Sequence, residues 1–178
     1  HMKEYGETWK KLNVGFDTIY SGFLGSIDQI DIVSDFINQN KNAYVIVDPV
    51  MGDGGNYYQT FNDEICNKIK DLVKVSDLVT PNLTEACLLT NNKYHTNYTL
   101  EDTLKLAKEI ANLGPKKVII TGILIDDNII NLGYDKESDE SFSYSLKYNN
   151  KSYSGTGDIF TSIISGLITN GYDFKESI

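Results

Sequence analysis

Four short, mostly apolar runs alternate with longer amphipathic segments, and this rhythm constrains the fold more than any other feature of the chain. The runs occupy residues 17–25, 43–49, 76–82 and 116–122. In the second and fourth runs the apolar residues are consecutive rather than alternating. That pattern is typical of strands covered on both faces, as in parallel sheets.

The segments between and after these runs have the apolar spacing of helices. Ser26 is a suitable N-cap for the first of them, and Thr99 with Asp102 resembles a capping box. Strands alternating with helices predict an α/β fold with a doubly wound, mostly parallel sheet and helices on both faces. The predicted helices lie within residues 26–40, 60–73, 83–90, 99–114 and 157–169.

The rhythm changes after residue 122. Residues 129–135 and 141–148 predict two strands, and the polar segment 136–140 between them predicts the turn of a hairpin. Residues 173–178 predict the start of a further helix.

The two ends of the chain both lie at predicted helices. The first helix, residues 4–13, has no strand before it. We therefore expect an internal segment of a longer protein, truncated at both ends. In this interpretation residues 1–2 are a cloning scar and residues 3–178 form one partial α/β domain.

The charge balance argues against two classes of main partner. The chain has 25 acidic and 16 basic residues, a net charge of −9. This argues against a nucleic-acid backbone or an anionic membrane as the main partner. Cys66 and Cys87 are too far apart for a zinc signature, so we expect buried free thiols in a reducing cytoplasm. No signal peptide and no membrane-length apolar run are found, so we expect neither export nor a membrane span.

Polar side chains follow three of the predicted strands. Asp48 follows the second strand, Thr80 and Asn82 the third, and Thr121 the fourth. In doubly wound sheets the ligand crevice lies at the carboxyl ends of the strands. We therefore expect these side chains to share one ligand-binding crevice.

The stretch "SGTGDIF" combines a glycine-rich turn with the start of a helix. Gly155, Thr156 and Gly157 can direct backbone N–H groups to one point, and the helix N-terminus adds positive charge, which predicts an anion hole for a phosphoryl group. Asp158 would lie beside it as a general base for an attacking hydroxyl group. The alternative is a flexible turn with an aspartate near the N-cap.

Two further motifs supply oxygen ligands. In "VDPVMGDGG", Asp48 and Asp53 can hold Mg²⁺ beside nucleotide phosphates, or they are solvent-exposed turn acids. In "VTPNLTEACLL", Asn82 and Glu85 share one helix face, where they can bind phosphate and order metal-bound water. They can equally form a local capping box, and the two roles are compatible.

Taken together, these motifs resemble the ribokinase-like superfamily and, within it, the pyridoxal kinase family of vitamin B6 kinases. The resemblance runs from Trp9 onward and rests on "YSGFLGS", "VIVDPVMGD", "DLVTPNLTEACLL", "LGPKKVIITG" and "GTGDIF". The combination of "DPVMGD" with "GTGD" favours pyridoxal kinases over hydroxymethylpyrimidine phosphate kinases, in which the base position is usually Cys.

The resemblance implies a role for each matched residue. Asp158 would be the base that activates the 5′-hydroxymethyl group of pyridoxal, pyridoxine or pyridoxamine, and Phe23 would face the pyridoxal ring. The implied anion hole is Gly155, Thr156 and Gly157; the implied ATP and phosphate contacts are Asp48, Asn82 and Thr121; the implied metal-site residues are Asp53, Glu85 and Thr80. Mg²⁺, ATP as co-substrate and a monovalent cation such as K⁺ are the implied cofactors, and the full-length protein is expected to be a homodimer.

Two departures and three alternatives accompany the resemblance. Family members are longer, with additional N-terminal strands and C-terminal helices. A hydroxymethylpyrimidine or sugar kinase of the same superfamily is the nearest alternative, and a non-catalytic nucleotide-binding module is the second. A dinucleotide-dependent oxidoreductase is disfavoured, because the first strand–helix turn lacks the pattern G-x-G-x-x-G.

Overall fold

The computed structural model describes residues 1–151 and 153–178, which contain one six-stranded sheet. In order across the sheet, its strands are β1 (Thr18–Ser21), β2 (Tyr44–Val47), β5 (Leu78–Val79), β6 (Lys117–Ile125), β7 (Asn128–Asp135) and β8 (Glu140–Lys147); β3 (Gly52–Asp53) and β4 (Asn56–Tyr57) form a separate ribbon. The first four of these strands are parallel, and β7 and β8 continue the sheet as antiparallel strands. The mostly parallel α/β architecture predicted from the sequence is therefore confirmed.

Among the described residues, six helices pack around the sheet: α1 (Met2–Lys11), α2 (Ile27–Gln39), α3 (Asp63–Lys74), α4 (Leu83–Thr90), α5 (Leu100–Ala111) and α6 (Thr156–Thr169). The first five in chain order belong to one side of it, where α1 lies outermost against α2. The helix α6 packs on the opposite face, against β1 and β2.

The packing of β2 explains why its residues form a continuous apolar run. Val45 and Val47 point into the larger core formed with α2 to α5, whereas Ile46 points into a smaller core with Ile164 of α6. Successive side chains of a strand alternate between faces, so both parities must be apolar when both faces are covered. Helices on both faces, as predicted, are thus confirmed by the packing.

Three local predictions need correction. The strand expected to end at residue 122 continues to Ile125, because Gly122 (φ +68°) absorbs a bulge and pairing with β7 resumes at Ile123. Gly52–Asp53 (β3) and Asn56–Tyr57 (β4) form a two-stranded ribbon that was not predicted. The last residues, 174–177, form turns rather than a helix.

The predicted hairpin and the predicted buried thiols are both present. The strands β7 and β8 pair from Asp135 and Glu140 outward, and Cys66 and Cys87 are free and buried. Among the described residues, no helix combines the length and apolar character needed to cross a membrane.

Candidate active site

The carboxyl ends of the parallel strands border a cleft of about 350 Å³ that is closed on one side by the start of α6. Eight of the residues predicted from the sequence lie in its wall, although they are spread over 111 positions of the chain. They are Asp48, Thr80, Asn82, Glu85, Thr121, Thr156, Gly157 and Asp158.

Sheet geometry explains this convergence. Asp48 directly follows β2 and Thr80 directly follows β5, and the backbone N–H of each donates to the neighbouring strand. Asn82 and Thr121 are joined by an isolated parallel bridge at the same level, although Thr121 lies within β6, which continues to Ile125, and not after it as predicted. Neighbouring parallel strands end side by side, so residues remote in sequence reach the same crevice.

Three other predicted residues lie outside the wall of this cleft. Asp53 is exposed on β3, where its carboxylate accepts the N–H of Gly54 at 2.8 Å. Phe23 is 57% exposed and packs edge-on against Phe61, with ring centroids 5.6 Å apart. Gly155 immediately precedes α6 as its N-cap.

The start of α6 has the backbone geometry of an anion site. Gly155 adopts a left-handed conformation (φ +84°) and provides no side-chain cap. The N–H of Ile159 donates to the carbonyl group of Gly155 at 3.1 Å, the first i to i−4 hydrogen bond of the helix. The backbone N–H groups before Ile159 therefore have no acceptor within the helix. These donors, together with the positive end of the helix dipole, can hold a phosphoryl group.

Asn82 and Glu85 form the capping box that was one of the two interpretations of their spacing. The Asn82 side chain accepts the N–H of Glu85, and the Glu85 carboxylate accepts the N–H of Asn82, both at 2.9 Å. Glu85 also accepts the N–H of Met51 at 3.1 Å, and the Asn82 amide donates to the Gly52 carbonyl group at 2.9 Å. The box therefore fixes the loop after β2 as well as the helix end.

Asp48 and Glu85 are buried acids in an acidic environment. Burial, and then the negative charge of Asp158, raise the pKa of Asp48 to about 7. Burial, and then the charge of Asp48, raise the pKa of Glu85 to about 8 despite its backbone N–H donors. Within the described part of the chain, no lysine lines the cleft, and the sequence contains no arginine.

This donor set fits a hard divalent cation. Mg²⁺ is commonly held by one or two carboxylates together with water and substrate phosphates, rather than by a complete protein cage. Among the described residues there is no group of three or more His, Cys, Asp or Glu arranged to hold a metal. Asp48 and Glu85 therefore suit a cation that arrives with phosphate oxygens.

Sequence reasoning missed several residues of the site, and two of them, Tyr20 and Thr161, lie within hydrogen-bonding distance of predicted ones. The Tyr20 hydroxyl donates to Asp158 Oδ1 at 3.0 Å, and the hydroxyls of Thr161 and Thr80 lie 3.1 Å apart. Tyr20 stands one position before the end of β1, at the same sheet edge as the other site residues. Its position next to the end of a strand could have identified Tyr20 as a site residue. In a mostly apolar run, however, a tyrosine is more readily interpreted as a core residue.

Comparisons with known proteins agree on one family. Residues 11–178 match the family model described as phosphomethylpyrimidine kinase. A pyridoxal kinase from Arabidopsis thaliana is 29% identical over 157 residues, covering 83% of this chain and 49% of its own length.

Two solved structures support the same family assignment. A protein from Bacteroides thetaiotaomicron assigned as a phosphomethylpyrimidine kinase, crystallised with pyridoxal, superposes with a TM-score of 0.91 and 35% identity, covering 98% of this chain and 63% of its own. The pyridoxal kinase of Staphylococcus aureus in complex with AMP-PCP gives 0.82 and 28%, covering 98% of this chain and 62% of its own.

The chain spans about half the length of the Arabidopsis relative and a little over three-fifths of the two solved structures. The family model nevertheless covers all but the first ten residues. The chain therefore belongs to the phosphomethylpyrimidine kinase family, which confirms the resemblance of its motifs to ribokinase-like pyridoxal kinases.

Proposed function

We propose that the complete protein containing this chain transfers the γ-phosphoryl group of ATP to the 5′-hydroxymethyl group of pyridoxal, pyridoxine or pyridoxamine. The observation that carries the proposal is the position of Asp158, a carboxylate in the first turn of α6 beside an uncapped helix N-terminus. The similarity to a protein crystallised with pyridoxal and to a kinase in complex with AMP-PCP supports both substrates.

The proposed reaction needs few protein groups. The acceptor oxygen attacks the γ-phosphorus, the bond to the ADP oxygen breaks, and the hydroxyl proton passes to Asp158. The N–H groups of Thr156 and Gly157 bind the oxygens of the transferring phosphoryl group and stabilise the negative charge on them. Phosphoryl transfer depends mainly on positioning and charge stabilisation, which this arrangement can supply.

Asp48 and Glu85 are the residues we propose to hold Mg²⁺, directly or through water. The ion would neutralise charge on the phosphates. Among the described residues, the cleft wall contains no lysine that could take this role. A K⁺ site near Thr80 and Thr121, a cytoplasmic location and a dimeric state remain predictions from the family resemblance.

The direct test is an assay of the complete protein with ATP, Mg²⁺ and pyridoxal. Asp158→Asn should lower kcat by at least about a hundredfold, in the range typical of general-base loss, while ATP binding measured by calorimetry persists. Asp35→Asn, an exposed carboxylate on α2, is the matched control and should retain activity. Near-normal turnover of Asp158→Asn would refute the base assignment.

The description of the matched family favours a second candidate, a hydroxymethylpyrimidine kinase. The two candidates share the phosphoryl-transfer site and differ in the acceptor ring. Comparing kcat/KM for pyridoxal and for hydroxymethylpyrimidine in the same preparation separates them. A clear preference for the pyrimidine would replace pyridoxal in our proposal and leave the chemistry unchanged.

A further inference from the structure

Tyr20 ties the first strand of the sheet to the start of α6. Its hydroxyl group donates to Asp158 Oδ1 at 3.0 Å, across 138 positions of the chain. The ring itself packs against the smaller core, beside Ile46 and Ile164. A partly buried ring that packs against this core and ends in a hydroxyl group gives the bond a fixed origin.

Gly22 leaves the space that this pair requires. A Cβ atom at Gly22 would lie 3.0 Å from the Tyr20 hydroxyl oxygen and 3.3 Å from Asp158 Oδ1. The backbone at Gly22 therefore passes directly against both groups. Restricted space on that side limits the orientations that the carboxylate can adopt.

The protonation state of Tyr20 determines the direction of the bond. Burial raises the pKa of its hydroxyl group, and the negative charges of Asp48 and Asp158 act in the same direction. Tyr20 thus stays protonated at neutral pH, and its hydroxyl can donate to the carboxylate without competing for the substrate proton.

We propose that Tyr20 is a positioning residue for Asp158: its hydroxyl group holds Oδ1 in place and leaves Oδ2 to receive the proton of the acceptor alcohol. The proposal rests on the phosphoryl-transfer function proposed above. A carboxylate has two equivalent oxygens, so fixing one of them sets the direction of the other. Tyr20 touches the base and not the reacting atoms, and it therefore acts through Asp158.

The test is Tyr20→Phe in the complete protein, which keeps the packed ring and removes the hydroxyl group. We expect kcat to fall about tenfold, the size of effect typical for loss of one hydrogen bond to a charged group. The KM for the alcohol and the calorimetric Kd for Mg-ATP should change less than about twofold, because neither substrate contacts Tyr20 in this scheme.

Tyr44→Phe is the matched control. Tyr44 lies on the adjacent strand β2 and packs against the same smaller core, and its hydroxyl group makes no side-chain hydrogen bond within the described residues. It should retain wild-type kcat. Equal losses in the two variants would show a packing effect and overturn the proposal.

A double substitution isolates the coupling. Tyr20→Phe should cause no further loss when Asp158 is already Asn, because the group it positions is then not a base. An unchanged kcat for Tyr20→Phe alone, or a full further loss in the Asp158→Asn background, would overturn the proposal.

Failure of the substrate assignment can be separated from failure of this proposal. If the wild-type protein phosphorylates another alcohol, the pyridoxal assignment fails and the same series is run with that alcohol. A crystal structure of Tyr20→Phe gives a readout that needs no substrate. We expect the Asp158 carboxylate to occupy a new or a second orientation, and one unchanged orientation would contradict the proposal.

Discussion

The Glu85 carboxyl group accepts backbone N–H groups from two separate segments, that of Asn82 at 2.9 Å and that of Met51 at 3.1 Å. The first bond caps α4, and the second anchors the loop that follows β2 and begins with Asp48. A local helix signal therefore also fixes the position of a site residue. The buried side chain of Glu85 makes this anchor costly to disturb.

Glu85→Gln should destabilise the fold. A glutamine amide can accept at one oxygen only, so its NH₂ group would face a backbone N–H donor and leave it unpaired. We expect a loss of about 2 kcal/mol in the free energy of unfolding, measured by urea denaturation. Asp102→Asn is the matched control, because it alters the exposed capping box of α5 and should cost less than about 1 kcal/mol. Equal losses would show that the tertiary bond to Met51 adds nothing.

The stability of the metal-free protein should fall as the pH rises from about 5 to 8. The pKa values of Asp48 and Glu85 are raised in the folded protein, to about 7 and about 8, so the folded state binds more protons than the unfolded state in this range. Linkage then requires stability to decrease with pH, by about 1.4 kcal/mol per group for each pH unit over which only the folded state holds the proton, and so by several kcal/mol over this range.

Urea denaturation at several pH values in the presence of EDTA measures this slope. Asp48→Asn should flatten it, because the substitution removes one titrating group and the charge that raises the pKa of Glu85. Asp53→Asn, on the exposed ribbon, should leave it unchanged. A wild-type stability that rises over this pH range would contradict the assignment of buried, proton-binding acids.

The sequence was sufficient to predict the sheet and most of the cleft. Asp48, Thr80 and Asn82 could be assigned because each stands at the end of an apolar run, and parallel strands bring their ends together. Tyr20 could not be assigned in this way. Its role depends on the distance between β1 and α6, and that distance follows from packing of the whole sheet rather than from any local pattern.

The limits of the fold prediction have similar causes. Gly122 indicated the end of a strand, yet pairing with β7 carries the strand past it, since a partner strand can compensate for a bulge. The ribbon at Gly52 has only two residues in each strand, too few to show an alternating apolar pattern in the sequence. The exposed side chain of Asp53 depends on this ribbon, so its distance from the cleft wall was not predictable either.

Mg²⁺ should stabilise the protein through Asp48. We expect millimolar Mg²⁺, with an ATP analogue present, to raise the thermal midpoint of the wild-type protein, because a ligand that binds only the folded state stabilises it. Asp48→Asn should abolish most of the Mg²⁺-dependent part of the shift, and Asp53→Asn should retain it. If Asp53→Asn lost the Mg²⁺-dependent shift and Asp48→Asn retained it, the metal site would have to be assigned to Asp53 on the ribbon formed by β3 and β4.

Gly155→Ala and Gly166→Ala should have effects of opposite sign. Gly155 has φ +84°, where an alanine is strained even though, among the described residues, only its chain neighbours come within 4 Å of the added carbon. We expect a loss of about 1 kcal/mol in unfolding free energy together with weaker nucleotide binding. Gly166 lies within α6, also with open space around it, so alanine there should add up to about 1 kcal/mol. Two losses of equal size would contradict the conformational explanation.

Gly22→Ala should lower kcat by displacing the pair formed by Tyr20 and Asp158. The added methyl group would lie 3.0 Å from the tyrosine oxygen, closer than a carbon normally approaches, so the pair must move by a few tenths of an ångström. Gly15→Ala, an exposed position with nothing within 4 Å, is the control and should leave kcat unchanged.

Because Tyr20→Phe removes the nearer of the two oxygens, Gly22→Ala should lower kcat less in that background than in the wild type. Steady-state kinetics of the four proteins, wild type, each single variant and the double variant, measure this difference. An undiminished loss in the double variant would show that Gly22 acts on the site by a route other than the tyrosine hydroxyl group.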